Sequence, residues 1–296
     1  MPLPLPTTLT PSKVSAFTSC PLAFRYSVID RLPEPPSAEA VKGTLVHSTL
    51  QALFSGHDAG SRSRAAAGAA LETAFAAMKE DPEFIALGLT PEAVESFGAD
   101  AETLLDGYFR LEDPDRVNAI GLELDLRADL DGIVMRGIID RLDLLPSGDL
   151  VVVDYKTGRS PSVDHSRKRM AGVHFYAWLC EQIIGVRPVE IRLMYLRDSV
   201  SVSTETSEQL MRGLRQRSAA VWQAIIRACE HDDFRPHPSA LCKWCSFTDY
   251  CPAVGGDPGL VPAAPDPVAA LAAEVASPIS AVPLAAVPVS AAPALG

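Results

Sequence analysis

The chain has 296 residues, 47% hydrophobic and 21% charged, with a formal net charge of −11. That length supports a well-buried core, as one large domain or two ordinary ones. The acidity argues against a protein that coats nucleic acid through bulk charge, although an enzyme acting on nucleic acid depends on local patches and bound ions instead.

No stretch approaches the roughly 18–20 consecutive apolar residues of a membrane helix. The start, MPLPLPTTLTPSK, lacks the basic patch and apolar run of a secretory signal. A cytoplasmic chain is therefore expected, its six cysteines reduced or bound to metal.

Residues 1–36 are Pro-rich at both ends, with Phe17, Cys20, Phe24 and Tyr26 between. Ser37 is placed to cap a helix through AEAVKGTLVHSTLQALF, in which Val41, Leu45 and Leu50 are apolar. Two Ala-rich helical stretches follow near 64–79 and 91–112, punctuated by Gly60 and Asp81-Pro82. From about 118, AIGLELDLRADL alternates as a half-buried strand does. The Asp131-Gly132 turn, IVMRGIIDRLDLL, a second turn at Pro146–Asp149 and LVVVDYKTG complete an antiparallel meander. Its last strand is the most continuously apolar, which suits a central position.

A helix over about 168–184 carries Val173, Tyr176, Ala177, Cys180 and Ile184 on one face. VEIRLMYL is another strand, with SVSVSTE beside it. A long helix over about 206–230 has Leu210, Leu214, Val221, Ile225 and Cys229 on one stripe. A loop rich in His, Pro, Cys and Trp closes the folded part near Cys251. The Ala, Pro and Val tail from about Val254 is expected to be a flexible appendage.

The sharpest local feature is Asp154-Tyr155-Lys156. Residues two apart on a strand share a side, so Asp154 and Lys156 are presented together at the end of a buried run of Val151, Val152 and Val153. Charges there need partners. A strand-end salt bridge is one reading. Asp140, an acid among Ile138, Ile139 and Leu142, opens another, because the hairpin turning near 146–149 can bring it to Asp154. Two carboxylates ~4 Å apart repel by roughly 4 kcal/mol at an effective dielectric near 20. A magnesium or manganese ion resolves that conflict, and Lys156 is then placed to orient a water or stabilise charge on a phosphate. His47 stands one helical turn after Gly43 and is either a further ligand or an ordinary helix histidine.

Gly43-x3-His47, Gly137-Ile138-Ile139-Asp140-Arg141 and Asp154-Tyr155-Lys156-Thr157-Gly158, in this order, resemble the motifs of the RecB-like exonucleases of the PD-(D/E)XK superfamily. The resemblance runs from about Ser12 to Cys251. It implies an α/β restriction-endonuclease-like core, a mixed sheet flanked by helices, within a nuclease domain at 1–253. That domain divides into a helical region at about 37–115, a sheet core at about 118–205, and a C-terminal helix and Cys loop at 206–253, with the tail at 254–296. His47, Asp140, Asp154 and the carbonyl of Tyr155 are the implied ligands for Mg2+ or Mn2+, and Asp140, Asp154 and Lys156 the implied catalytic set. The implied activity is metal-dependent DNA exonuclease cleavage of single-stranded ends in repair or recombination, with a helicase or repair complex as partner.

One position departs from the family. The glutamine of its Q-x3-Y pattern is Gly172 here, four residues before Tyr176. A non-catalytic DNA-binding or scaffold subunit of a helicase–nuclease complex is therefore the alternative. Arg159, Lys168 and Arg169, with Tyr176, are candidate DNA contacts, although a charge run of this kind is commonly just a solvated helix face.

Cys242-x2-Cys245-x5-Cys251 is a three-thiol cluster, one ligand short of a tetrahedral ion or a cubane. Cys180 and Cys229 fall on apolar helix stripes and read as core thiols, which leaves Cys20. Iron–sulfur members of the same family, including the AddB nuclease domain and the CRISPR-associated nucleases, have one early cysteine and a late C-x2-C-x5-C. The match implies a [4Fe–4S] cluster on Cys20, Cys242, Cys245 and Cys251 that staples the N- and C-terminal segments. Zinc is the alternative, since spacing does not separate the two. Trp244 and Phe247 are expected to pack over the cluster, with base stacking as the other use.

Overall fold

In a computed structural model of the chain, residues 2–161 and 163–262 are described, without the side chains of 163–171. Thr10 opens the first helix, α1 (Pro11–Ser19), its hydroxyl accepting the Lys13 N–H at 3.1 Å. α2 (Pro21–Phe24) follows and passes into a π-helical turn at Arg25–Ile29. A Pro-rich reading of 1–36 misses these turns, because a proline at the first helical position starts a helix rather than breaking one.

α3 (Ala38–Gly56), α4 (Arg64–Met78), α5 (Pro82–Ala86) and α6 (Pro91–Leu111) come next. The three longer ones lie close to the bounds that their composition and punctuation predict. Ser63 and Thr90 cap α4 and α6 through their hydroxyls; Ser37 stands at the cap of α3 without such a bond.

β1 (Ala119–Leu130), β2 (Ile133–Leu144), β3 (Leu150–Lys156), β4 (Glu190–Tyr195) and β5 (Val200–Glu205) form one sheet in sequence order. The β3–β4 pair is parallel and all others antiparallel, so the sheet is mixed. α7 (Val163–Ile184) makes the crossover between β3 and β4, and α8 (Glu208–His231) follows the sheet. Asp131 and Gly132 both have positive φ, 52° and 85°, as the two-residue turn that matches strand twist requires. β3 pairs only with the Arg141–Leu144 end of β2. The N-terminal segment uses part of the edge left over, with Leu9 N–H bonding the Val134 carbonyl at 2.8 Å and Arg136 N–H the Leu9 carbonyl at 2.9 Å.

β3 is buried on both faces, as its uninterrupted valines predict. Val152 joins a core with Phe175, Leu179, Ile191, Leu193, Leu214 and Ile225, while Val151, Val153 and Tyr155 join a second core with Leu45, Leu53, Leu104 and Tyr108. Helices therefore cover both faces of the sheet in three layers. α6 seats closely on the end of β4: a Cβ at Gly107 would lie 1.8 Å from the Leu196 carbonyl oxygen. No described helix is long and apolar enough to cross a membrane. The tail beyond residue 262 lies outside the described residues.

Candidate active site

The β2–β3 register pairs Arg141 with Val153 and thereby sets the preceding Asp140 beside Asp154. Both acids are buried. The Tyr155 N–H donates to Asp140 Oδ2 at 2.6 Å. From α3, His47 brings Nε2 to 3.1 Å from the Tyr155 carbonyl and Nδ1 to 3.6 Å from Asp140 Oδ1. A carbonyl only accepts, so Nε2 carries the proton and Nδ1 turns a lone pair toward Asp140. Burial holds the His47 pKa below its ordinary value, against the charge of Asp154. A neutral imidazole is the form that binds metal. The close neighbour that Gly43 admits on this face of α3 is the Thr157 side chain, 3.4 Å from where a Cβ would stand.

A third group joins from β1. Ligand atoms of His47, Glu123 and Asp140 all lie within 4.8 Å of one another. Glu123 is bracketed by the pairs Leu122–Arg141 and Leu124–Ile139, which sets it across from Asp140. Its φ of 46° is left-handed, a conformation unfavourable for a side chain of this kind and found where local structure over-determines it. Sequence reasoning takes Glu123 as one more polar residue of an alternating strand. The signal was present: counting both strands back from the two-residue Asp131-Gly132 turn places Glu123 opposite Asp140.

Lys156 Nζ forms an ion pair with the buried Asp154 Oδ2, and no other group among the described residues hydrogen-bonds that oxygen. Burial pulls the Lys156 pKa down, yet the charge of Asp154 and its contact with the ammonium outweigh this, so the net shift is upward and the side chain stays cationic. Asp140 is pushed well above the ordinary carboxylate range, first by burial and then by the charge of Asp154; Glu123 is raised by the same two causes. Crowded acids, two of which resist ionising, and an imidazole lone pair fit a hard divalent cation, whose charge reverses the repulsion. Asp154 lies outside the 4.8 Å trio but within electrostatic reach of each of its members. The Tyr155 carbonyl, expected as a ligand, already accepts one hydrogen bond, from His47.

Arg159 is exposed beyond the end of β3. The Lys168 and Arg169 side chains lie outside the described residues. Tyr176 packs against Gly137, where its ring carbons would come within about 3.1 Å of a Cβ, and its hydroxyl pKa is raised by burial and by Asp154 and Asp140. It therefore borders the acidic site. Gly172, one turn earlier on α7, is exposed with open space around it.

Cys20, Cys242, Cys245 and Cys251 line one cavity of about 350 Å³. Tyr26 joins the N-terminal helices to the cysteine loop, donating to the Tyr250 carbonyl at 3.1 Å and packing its ring 5.6 Å from that of Phe247. Burial raises the Cys245 thiol pKa, and the other three cysteines add to the rise. No three of these sulfurs lie within 4.8 Å of one another among the described residues. Phe247 is buried, as expected of a residue packing in this loop, but Trp244 is 77% exposed. Phe247 finds Tyr26, whereas the single 3-10 turn at Ala240–Trp244 directs Trp244 outward. Cys180 and Cys229 are buried in the core.

A model of the PD-(D/E)XK nuclease superfamily matches residues 8–252. The Gene 69 protein of Mycobacterium phage D29 is 25% identical over 273 residues, which cover 81% of this chain and 95% of that one. The Gene 69 protein of Mycobacterium phage L5 is 27% identical over 132 residues, 44% of each chain. A solved structure from Eubacterium rectale, named as a candidate exonuclease, aligns with a TM-score of 0.48 at 11% identity over 81% of this chain and 87% of that one.

Proposed function

The chain belongs to the PD-(D/E)XK nuclease superfamily, and from that premise we propose that it is a Mg2+- or Mn2+-dependent DNA exonuclease acting on single-stranded ends. The observation that carries the reading is the convergence of His47, Glu123 and Asp140 beside the Asp154–Lys156 pair. His47, Asp140 and Asp154 would hold the ion, with Glu123 as a further ligand. A bound divalent cation supplies Lewis-acid activation of a water and of the scissile phosphate. The protein's own groups supply the rest. Asp140 is held by the Tyr155 N–H and His47 by the Tyr155 carbonyl, so both present fixed atoms to the site. Lys156, kept cationic by Asp154, is a hydrogen-bond donor and a positive charge for phosphate oxygens as they gain charge, rather than a base. Arg159 and Tyr176, with Lys168 and Arg169, are the proposed DNA contacts.

The exonucleolytic, single-strand and repair parts of the proposal, and a helicase or repair-complex partner, rest on the motif resemblance to RecB-like exonucleases. Membership of their iron–sulfur branch rests on the same resemblance, and the gathering of Cys20, Cys242, Cys245 and Cys251 along one cavity is compatible with a [4Fe–4S] cluster there, with zinc as the alternative. A non-catalytic subunit would have no need to keep His47, Asp140, Asp154 and Lys156 together.

The test is degradation of 5′- and 3′-labelled single strands, duplexes and closed circles by anaerobically purified protein. Linear single strands should be shortened from an end with Mg2+ or Mn2+ and not with chelator. Cutting of closed circles would overturn the exonuclease assignment. Inertness toward every substrate, with the cluster intact and Mn2+ bound, would favour the scaffold reading.

A further inference from the structure

We infer that Arg141 is a positioning residue of the metal site: its buried guanidinium fixes Tyr155, whose backbone N–H and carbonyl in turn orient Asp140 and His47. The inference rests on the proposal that those two side chains hold the metal. Arg141 is fully buried, and its guanidinium spends its hydrogen bonds on other groups. Nε and Nη2 donate to Asp143 at 2.8 and 2.9 Å, Nη2 also to Glu112 at 3.0 Å, and Nη1 to Glu112 and to the Tyr155 hydroxyl, the latter at 2.7 Å. All five N–H groups of the guanidinium are thereby engaged. Its centre lies 4.7 Å from the Phe54 ring centroid and 5.6 Å from that of Tyr155. The group cannot turn or slide without breaking several bonds at once.

Fold stability alone does not call for such a group. Apolar side chains of similar volume commonly replace buried ion pairs with no loss of stability. An apolar neighbour would still pack on Tyr155, but it could not hold the hydroxyl at a set distance. Tyr155 stands between Asp154 and Lys156, and its backbone works in both directions: the N–H donates to Asp140 Oδ2 at 2.6 Å and the carbonyl accepts from His47 Nε2 at 3.1 Å. These two bonds use the outer atoms of both side chains. Asp140 Oδ1 and His47 Nδ1 are left 3.6 Å apart and facing each other. Glu112 and Tyr108, at the end of α6, join the same network, Tyr108 donating to Glu112 at 2.7 Å. A helix end about thirty residues away in sequence thus helps to set the ligand geometry.

Partners one step removed from metal ligands typically change metal affinity by about 10–100-fold when lost. The test is calorimetric titration of the full-length protein with Mn2+, without DNA, alongside melting curves of the metal-free forms. Asp140→Asn should abolish Mn2+ binding. Tyr155→Phe, which removes only the hydroxyl, and Arg141→Lys, which keeps the charge but not the fork, should each weaken it by about tenfold or more. Leu71→Ala, on the buried face of α4, should lower the melting temperature and leave Mn2+ affinity unchanged. Wild-type affinity in folded Tyr155→Phe and Arg141→Lys would overturn the inference while sparing the metal site. An affinity that merely follows stability, falling in Leu71→Ala as well, would also overturn it. If Arg141→Lys does not fold, Tyr155→Phe decides. Absence of Mn2+ binding in the wild type, or its survival in Asp140→Asn, would remove the underlying reading and the inference together.

Discussion

Burial disfavours charge on Asp140 and Glu123, the charge of Asp154 raises the cost of ionising both, and Glu123 adds to that of Asp140. A site of this kind trades stability for function, and single substitutions should separate the two. Asp154→Ala and Lys156→Ala should remain folded and lose at least about 100-fold in cleavage rate, the scale on which a charge-stabilising donor counts. Near wild-type rates with Mg2+ or Mn2+ in either variant would show that the chemistry lies elsewhere. Asp140→Asn should behave in the opposite sense toward stability. In the fold, Asp140 keeps its proton to a higher pH than in the unfolded chain. Between the ordinary carboxylate range and its raised value the native state binds more protons, so stability falls as pH rises. Asn does not titrate. The metal-free variant should therefore gain stability relative to wild type across that window and keep the gain above it. Denaturation curves at a series of pH values, with chelator present, would reveal a flat difference if the repulsion is absent.

At the scale of the element, the site depends on how closely the helices seat against the sheet. α6 and the residue that caps it supply Tyr108 and Glu112 to the Arg141 network, and the helix reaches the end of β4 only because residue 107 has no side chain. A methyl group there would overlap the Leu196 carbonyl, a backbone atom that cannot rotate away. Gly107→Ala should therefore destabilise by about 1–3 kcal/mol or more, although alanine is the better helix former by about 1 kcal/mol. A melting temperature equal to or above that of wild type would mean that α6 can lift off without consequence. The β1–β2 hairpin is tied to the site in another way. Its two-residue turn sets the register that carries Glu123 to Asp140, and a slip of one residue would send Glu123 to the other face.

At the scale of the molecule, the N-terminal helices and the final cysteine loop pack on each other through Tyr26, Phe247 and Tyr250. A cluster bound at Cys20, Cys242, Cys245 and Cys251 would close more than two hundred residues into one loop. Closure restricts the unfolded state, an effect worth about 2–4 kcal/mol for comparable cross-links. Cys20→Ser should bleach anaerobically purified, brown protein as fully as Cys242→Ser does, and lower the melting temperature with it. Full iron content in Cys20→Ser would remove that residue from the ligand set. Colourless wild-type protein with one zinc per chain would sink the cluster but not the nuclease. Burial pushes the Cys180 and Cys229 thiols up to about 12 and about 11. Both should resist alkylation at neutral pH in native apoprotein while the other four react, as peptide mass mapping would record.

The sequence by itself determined what is local. Alternation and valine runs marked the strands, a pair of residues tolerant of positive φ marked the β1–β2 turn, and the motifs around His47, Asp140 and Asp154-Tyr155-Lys156 marked the candidate site, because each is a pattern within one or two neighbouring elements. Only the tertiary structure decided the rest. The left-handed backbone of Glu123, the parallel pairing of β3 with β4, and the outward Trp244 beside the inward Phe247 have no local signature. The same holds for the bond from Arg141 to Glu112, which lies 29 residues earlier, and for the meeting of Cys20 with a loop more than two hundred residues later. The physical reason is that periodicity reports which face of an element avoids water, whereas distances between elements are set by how their side chains interlock. A buried guanidinium is costly until its partners arrive, and those partners come from helices and strands that are brought together only when the core has packed.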